Sequence, residues 1–356
     1  MREIKAGFPG YIEGAAFYVD EYTIVKVNAD AEECGICVGD DVRDLIYTGF
    51  REYANFEGGM LYLELQINNE RRAAAVMIEK AYHLFCLLKQ YDNAELKAMA
   101  LAGHILLKPL QESLVHIKLL EHSLSNLEDE TTENIDDNSL KRNLFQMLRS
   151  IHNMMDASTF STVRVEKFNY QDVSEIFDAM GRRLTTMEKA LKHKFRYTGL
   201  HKQLYTMADA QALERAFYNM ISNAVKFSPE GSTITVKLAV TKKRLLITVS
   251  NQRLPGGIRE EQFFNRYLRQ PMPENSQIGI GLGMTVIRTI ASAHKGTLFV
   301  HPESERQMSV TMSLGIQNNT ESRLRASSMR MIPAGGYDTA LVELSDVLPA
   351  DMYDKA

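Results

Sequence analysis

From Leu96 to Leu127 the apolar residues step by three and four: Leu96, Met99, Gly103, Leu106, Leu110, Ser113, Ile117, Leu120, Leu124 and Leu127. Eight of these ten are Leu, Ile or Met, which makes a continuous seam like that of a coiled coil. A second seam runs through Leu140, Leu144, Met147, Ile151 and Met154. The stretch between them, 128–138 (EDETTENIDDN), is acidic and aperiodic and reads as a solvated turn. Two amphipathic helices joined this way form an antiparallel hairpin. A lone hairpin leaves half of so long a stripe in water. Two hairpins close it as a four-helix bundle, so dimerisation through residues 95–160 is the physical expectation. The alternative is that the seam packs on other parts of its own chain.

On either side of the hairpin the period changes. Runs 15–19 and 23–27 read as strands, separated by Asp20-Glu21. Segments 29–34 and 40–46 read as helices, entered by Asn28 and Gly39-Asp40, and 61–67, 73–78 and 82–88 as three more strands. Beyond Val163 helices and strands mix. Residues 211–227 form a helix ended by Ser228-Pro229-Glu230-Gly231, followed by strands at 233–240 and 245–249. A helix at 285–294 is closed by Gly296 as a C-cap, and strands follow at 297–300 and 308–314. A polar linker at 318–328 leads to a helical stripe of Leu341, Leu344, Val347 and Leu348. The chain divides into 1–92, 93–160, 161–317 and a tail at 318–356, a multidomain α+β arrangement.

Composition narrows the function classes. At 45% hydrophobic and 24% charged residues the chain builds packed cores, which excludes a disordered or fibrous protein. A net charge of −4 supplies no basic excess for nucleic acid or an anionic membrane. No run approaches the ~18 apolar residues of a bilayer span, and MREIKAGFPGY lacks a signal-peptide core. Three cysteines cannot make a disulfide framework, so a reducing, cytoplasmic setting is expected.

Two segments can carry chemistry. Asn219 and Asn223 stand four apart, on one helix face, with Lys226 three further on. Carboxamide oxygens can ligate Mg²⁺, and a lysine beside them can meet phosphate. Gly279, Gly281 and Gly283 alternate, which lets the backbone approach a ligand and point amides at phosphate oxygens. The helix that follows adds its positive N-terminal end. Taken singly, each has a plain structural reading: an Asn pair on a solvated face, a glycine run in a turn.

Together they resemble a known family. LERAFYNMISNAVKFSP resembles the N box of the Bergerat, or GHKL, ATPases as sensor histidine kinases carry it, and GIGLGMTVIRTIASAHKGTL resembles their G2 box. FFNRYLRQ resembles the F box through Phe264, Tyr267 and Arg269. LAGHILLKPLQ resembles the phosphoacceptor box, with His104 followed by Pro109, and FYVDEYTIVKVNADAEECGI resembles the start of a PAS sensor domain.

The resemblance implies a PAS-like α/β sensor at 1–92, a dimerisation and phosphotransfer hairpin at 93–160 and a GHKL α/β sandwich at 161–317. ATP with Mg²⁺ would bind under a lid at about 255–277, with Asn223 on the metal, Asn219 and Lys226 near the phosphates, and Gly279, Gly281, Leu282 and Gly283 cradling phosphate. Asn251 would take the adenine amino group. His104 would accept the γ-phosphoryl group and pass it to the receiver domain of a response regulator. The PAS domain leaves room for an unidentified ligand.

The sequence departs from that pattern in places. Ile105 stands where the family has an acidic residue that orients the phosphoacceptor ring, and a lost general base of this kind costs ~10²–10⁴ in rate. Lys108 stands where phosphatase-competent members have Thr or Asn. Asn251 replaces the adenine-binding aspartate, a weaker neutral acceptor, and Arg253-Leu254 displace the glycines that follow it. These departures keep a second class open: a pseudokinase, a nucleotide-responsive or structural dimer that signals by contact. A chaperone- or topoisomerase-type ATPase is disfavoured, because those need a longer lid and a transducer.

Other features read as structural. Cys34-Gly35-Ile36-Cys37 lacks the second pair a zinc site needs, and Cys86 stands alone. His116 and His122 lack a following proline, His294 ends the G2 helix, and His83 is a packed strand residue rather than a haem ligand.

Overall fold

The structure, a computed structural model, describes residues 7–10, 12, 14–79, 81–88, 137–159, 168–253, 282–304, 306–317 and 337–354, with isolated positions between 102 and 117. His104, Ile105, Lys108 and Pro109 lie outside the described residues, as do the lid and F box within 254–281, Gly279, Gly281 and the linker at 318–328. The architecture is mixed α+β.

The first part is an antiparallel sheet with three short helices. Strands β1 (Ala16–Asp20) and β2 (Thr23–Val27) lead to α1 (Ala29–Glu33), α2 (Val42–Leu45), β3 (Ile46–Thr48) and α3 (Phe50–Tyr53), and then to β4 (Met60–Ile67), β5 (Glu70–Glu79) and β6 (Tyr82–Leu87). Asn28 starts α1 because its Oδ1 accepts from the amides of Ala31 at 3.0 Å and Ala16 at 2.9 Å. The helix expected at 40–46 is only one turn. Asp41 caps it, but β-branched Ile46 turns extended and pairs with β4. Asn68 and Asn69 both take positive φ, which makes the two-residue turn of the β4–β5 hairpin. Alternation along β1 sends Phe17 and Val19 into a small core with Ile24, Tyr53 and Phe85, and Ala16 and Tyr18 into the larger core on the other face.

The second part begins with α4 (Asp137–Thr159). It continues through β7 (Asn169–Asp172), α5 (Val173–Leu191), β8 (Lys194–Thr198), β9 (Tyr205–Ala208) and α6 (Ala210–Lys226). Then come β10 (Thr233–Thr241), β11 (Arg244–Gln252), α7 (Leu282–Ala293), β12 (Leu298–Ser304), β13 (Gln307–Gly315) and α8 (Thr339–Glu343). The sheet order β12-β13-β11-β10-β8 is covered on one face by α6 and its neighbours α5 and α7. Leu245, Ile247 and Val249 alternate inward on β11, and Asn251 is the last member of that buried series.

The two sheets are continuous. Strand β12 pairs antiparallel with β4, setting Leu298 opposite Tyr62 and Val300 opposite Met60, so among the described residues eleven strands form one sheet. Gly59 makes the junction possible: with φ +81, any Cβ there would stand 2.5 Å from the Val300 carbonyl oxygen. Arg244 and Glu52 bridge the same seam at 3.1 Å.

Helix α4 divides its apolar surface. Phe145, Leu148 and Ile151 are buried in the core shared with α6, α7 and the 337–354 segment, whereas Leu140 and Met147 are exposed. Gly296 is not the left-handed residue that ends α7. Lys295 takes that conformation (φ +56), and the Gly296 amide donates to the Ala291 carbonyl at 2.8 Å. The glycine is required for another reason: a Cβ would lie 1.6 Å from the Ser313 carbonyl oxygen. Among the described residues, no helix is long and apolar enough to cross a membrane.

Candidate functional site

The site grows from α6. Asp209 caps it, its side chain accepting from the Ala212 amide at 3.1 Å. Leu213, Ala216, Phe217, Met220, Ile221 and Ala224 are buried. Spacing of four and three leaves Asn219, Asn223 and Lys226 on a common side. That side meets the start of α7: a Cβ on Gly283 would lie 3.0 Å from Asn219 Oδ1, and Asn223 Nδ2 approaches Met284 Sδ at 3.6 Å. The structure thus brings together Asn219, Asn223 and Gly283. Leu282 opens α7, and its side chain is outside the described atoms.

His294 locks the far ends of the two helices. Its Nδ1 donates to the Ile290 carbonyl at 2.7 Å, and its Nε2 accepts from the Asp209 amide at 3.1 Å. An acceptor Nε2 requires a neutral ring. Burial, only partly offset by the Ile290 hydrogen bond and Asp209, holds its pKa below the usual histidine range.

Asn219 is completely buried and fully engaged. Its Nδ2 donates to Glu343 Oε2 at 2.8 Å and to the Arg215 carbonyl at 3.0 Å, and its Oδ1 accepts from Arg149 Nη2 at 3.1 Å. Glu343 Oε1 also accepts from Arg215 Nε at 3.0 Å. Lys226 Nζ lies 2.5 Å from Asp346 Oδ2, and Arg149 Nη1 reaches the same oxygen. Burial pulls the Lys226 pKa below its ordinary value, against Asp346. Burial would push Asp346 up, but Arg149 and Lys226 together hold it below the usual carboxylate range.

Four residues of this cluster went unread in the sequence: Arg149, Arg215, Glu343 and Asp346. Arg215 stood four residues before Asn219 and so on the same face, a signal that was available. The other three come from 149 and 343–346, far away in sequence, and no local pattern announces them.

Asn251 sits apart from this cluster, at the end of β11. It is buried, and its Nδ2 donates to the Gln252 carbonyl at 2.8 Å, so Oδ1 is its acceptor. The donor set fits a nucleotide with its magnesium: carboxamide oxygen is a hard metal ligand, and three cations with a helix start suit phosphate.

Residues 208–318 match the family described as "Histidine kinase-, DNA gyrase B-, and HSP90-like ATPase". Over those residues the chain is similar to that class of ATPase domain. Within the class, its similarity is to the sensor histidine kinases of two-component signalling. It is 40% identical over 98 residues to Sensor protein IrlS of Burkholderia pseudomallei, covering 27% of this chain and 21% of that one. It is 23% identical over 248 residues to Sensor histidine kinase TmoS of Ectopseudomonas mendocina, covering 66% and 24%. A solved structure of full-length ShkA in complex with AMPPNP aligns at 15% identity and a TM-score of 0.48, over 63% of this chain and 47% of that one. The chain spans 7%, 21% and 24% of the lengths of the first three curated relatives it matches.

Proposed function

We propose that the protein is a sensor histidine kinase that binds ATP with Mg²⁺, autophosphorylates on His104 and transfers the phosphoryl group to a response-regulator receiver domain. The observation that carries this reading is the meeting of Asn219 and Asn223 on α6 with Gly283 and Met284 at the start of α7, inside the matched ATPase domain. ATP supplies the phosphoryl group, and Mg²⁺ neutralises part of its charge. Asn223 would hold the metal through its carboxamide oxygen, and Lys226 with the backbone amides of Gly279, Gly281 and Gly283 would hold phosphate. Asn251 Oδ1 accepts from the adenine amino group. The His104 ring nitrogen would attack the γ-phosphorus in line as the bond to the bridging oxygen breaks and ADP leaves, so the protein's contribution is positioning and charge stabilisation. With Ile105 beside it, the ring proton leaves to water rather than to a neighbouring carboxylate.

The hairpin at 95–160 dimerises, which gives exposed Leu140 and Met147 on α4 a place to be buried. Residues 1–92 act as the sensor, and β1, β2 and α1 occupy the residues that carry the PAS resemblance. The continuous sheet through β4 and β12 supports a direct mechanical link from sensor to ATPase.

A second reading, a regulator without phosphotransfer, is favoured by Ile105 and by the closed state of Asn219. Incubation with γ-labelled ATP and Mg²⁺ separates the two. The kinase reading expects acid-labile label, lost in His104→Gln and Asn223→Ala. Nucleotide binding without label would leave the regulator.

A further inference from the structure

The segment 337–354 lies beyond the matched ATPase residues, yet it closes the centre of the site. Glu343 has no exposed surface and joins Asn219 Nδ2, Arg215 Nε and, at 3.5 Å, Arg149 Nε. Asp346, three residues on, sits on Lys226 and Arg149. The apolar side of the segment is anchored independently. Leu341, Leu344, Leu348 and Tyr353 are buried, Tyr353 Oη donates to the Leu341 carbonyl at 2.9 Å, and its ring lies 5.0 Å from that of Phe145. Asp338 caps α8 and pairs with Arg183 at 2.5 Å.

Carboxylate and phosphate oxygens seek the same cationic N–H donors. Here two carboxylates engage the very side chains, Asn219 and Lys226, to which the nucleotide reading gives phosphate. Because Asn219 is wholly covered, no ligand atom reaches its carboxamide until Glu343 or Arg149 moves aside.

We propose that Glu343 and Asp346 are internal phosphate mimics: the 337–354 segment and a nucleoside triphosphate are mutually exclusive ligands of the cradle formed by Arg149, Arg215, Asn219 and Lys226. This rests on the nucleotide-site reading above. A triphosphate carries more negative charge than the two carboxylates together, so it competes for the same donors. Arg149 belongs to the hairpin helix, so the closed segment also ties that helix to the ATPase domain. Displacement frees both, and by linkage whatever loosens the hairpin favours nucleotide binding. Apparent affinity falls by the fraction of molecules that are open, so a segment closed ten to one weakens binding about tenfold.

The test uses the full chain and Mg-ATP. In wild type, hydrogen exchange of the 339–348 amides is followed without nucleotide and at saturating Mg-ATP, and binding is measured by calorimetry. The same titration is run on the double variant Glu343→Gln/Asp346→Asn. Loss of amide protection on adding Mg-ATP, with at least about tenfold tighter binding by the double variant, is the expected result. Saturating Mg-ATP bound with 339–348 still protected in wild type overturns the proposal and leaves the nucleotide site standing, however the variant behaves. No binding by either form overturns the nucleotide site and the mimicry together.

Discussion

Glu214, on α6, lies under α8, near Thr339, Asp338 and Glu343. Burial, with Asp338 and Glu343 adding to it against Thr339 and Arg183, pushes its carboxyl from 4.5 up to about 7. His152, on α4, is driven the other way: burial, with Arg215 adding to it, lowers it from 6.5 to about 3. Between pH 7 and 4.5 the folded state binds the Glu214 proton and the unfolded state does not, so this group adds stability as pH falls. The gain is about 2.5 pH units at about 1.36 kcal/mol each, roughly 3.4 kcal/mol. Below pH 6.5 the unfolded state binds the His152 proton and the folded state does not, so stability is lost as pH falls. By pH 4.5 the loss is roughly 2.7 kcal/mol by the same arithmetic. These two nearly cancel, so acid destabilisation of wild type falls to two other histidines, His294 and His83, which burial keeps neutral in the fold while the unfolded chain takes up protons below pH 6.5. Glu214→Gln keeps the shape and removes the buried charge. It is expected to stabilise the protein by about 3 kcal/mol at pH 7.5 and to match wild type at pH 4.5, so between those pH values its stability falls with acid by about 3 kcal/mol more than wild type's. Urea unfolding with one spectroscopic probe at pH 7.5, 6 and 4.5 reads this directly. A variant whose pH profile runs parallel to wild type, or that is less stable at pH 7.5, would refute the assignment.

Three further outcomes follow from the packing. Gly296→Ala puts a Cβ 1.6 Å from the Ser313 carbonyl oxygen, which side-chain motion cannot relieve, so it should cost more than about 4 kcal/mol and show as loss of soluble protein. His294→Ala leaves the Asp209 amide without its acceptor, while the Ile290 carbonyl keeps the backbone amide of residue 294; a loss of about 1–3 kcal/mol in chemical denaturation is expected. Burial pushes the Cys86 thiol up to about 12 while Cys37 is exposed, so maleimide at pH 8 should label Cys37 and spare Cys86, with mass spectrometry reading the sites.

Much of this was legible in short stretches of chain. Alternation of Leu245, Ile247 and Val249 marked β11, and the three-and-four stepping from Leu140 marked α4. Val173, Phe177, Met180, Leu184, Met187 and Leu191 carry the same helical period in α5, a signal the sequence analysis left undivided in a mixed region. Boundaries failed where a neighbour strand decided them, as at Ile46, which pairs with Leu65 instead of completing a helix turn. Gly296 was recognised as special, but for a role Lys295 performs, because the Ser313 carbonyl that forbids a side chain comes from another strand.

The candidate site divides the same way. Spacing alone placed Asn219, Asn223 and Lys226 on one side of a helix, since a turn of 3.6 residues is a local property of the backbone. Facing Gly283 toward Asn219 needed α7 to pack along α6, which follows from burying both apolar stripes on one sheet. Glu343 and Asp346 were invisible as site residues. The stripe of Leu341, Leu344, Val347 and Leu348 foretold a helix, and only α8 and the turn after it formed, docked by its leucines. Which cations its carboxylates meet depends on where α4 and α6 present Arg149, Arg215 and Lys226. The sequence by itself determined the periods, the caps and the chemical alphabet of the site. The tertiary structure decided the partners, because a buried charge is tolerable only beside its counterion and that neighbour is chosen by packing across more than a hundred residues of chain.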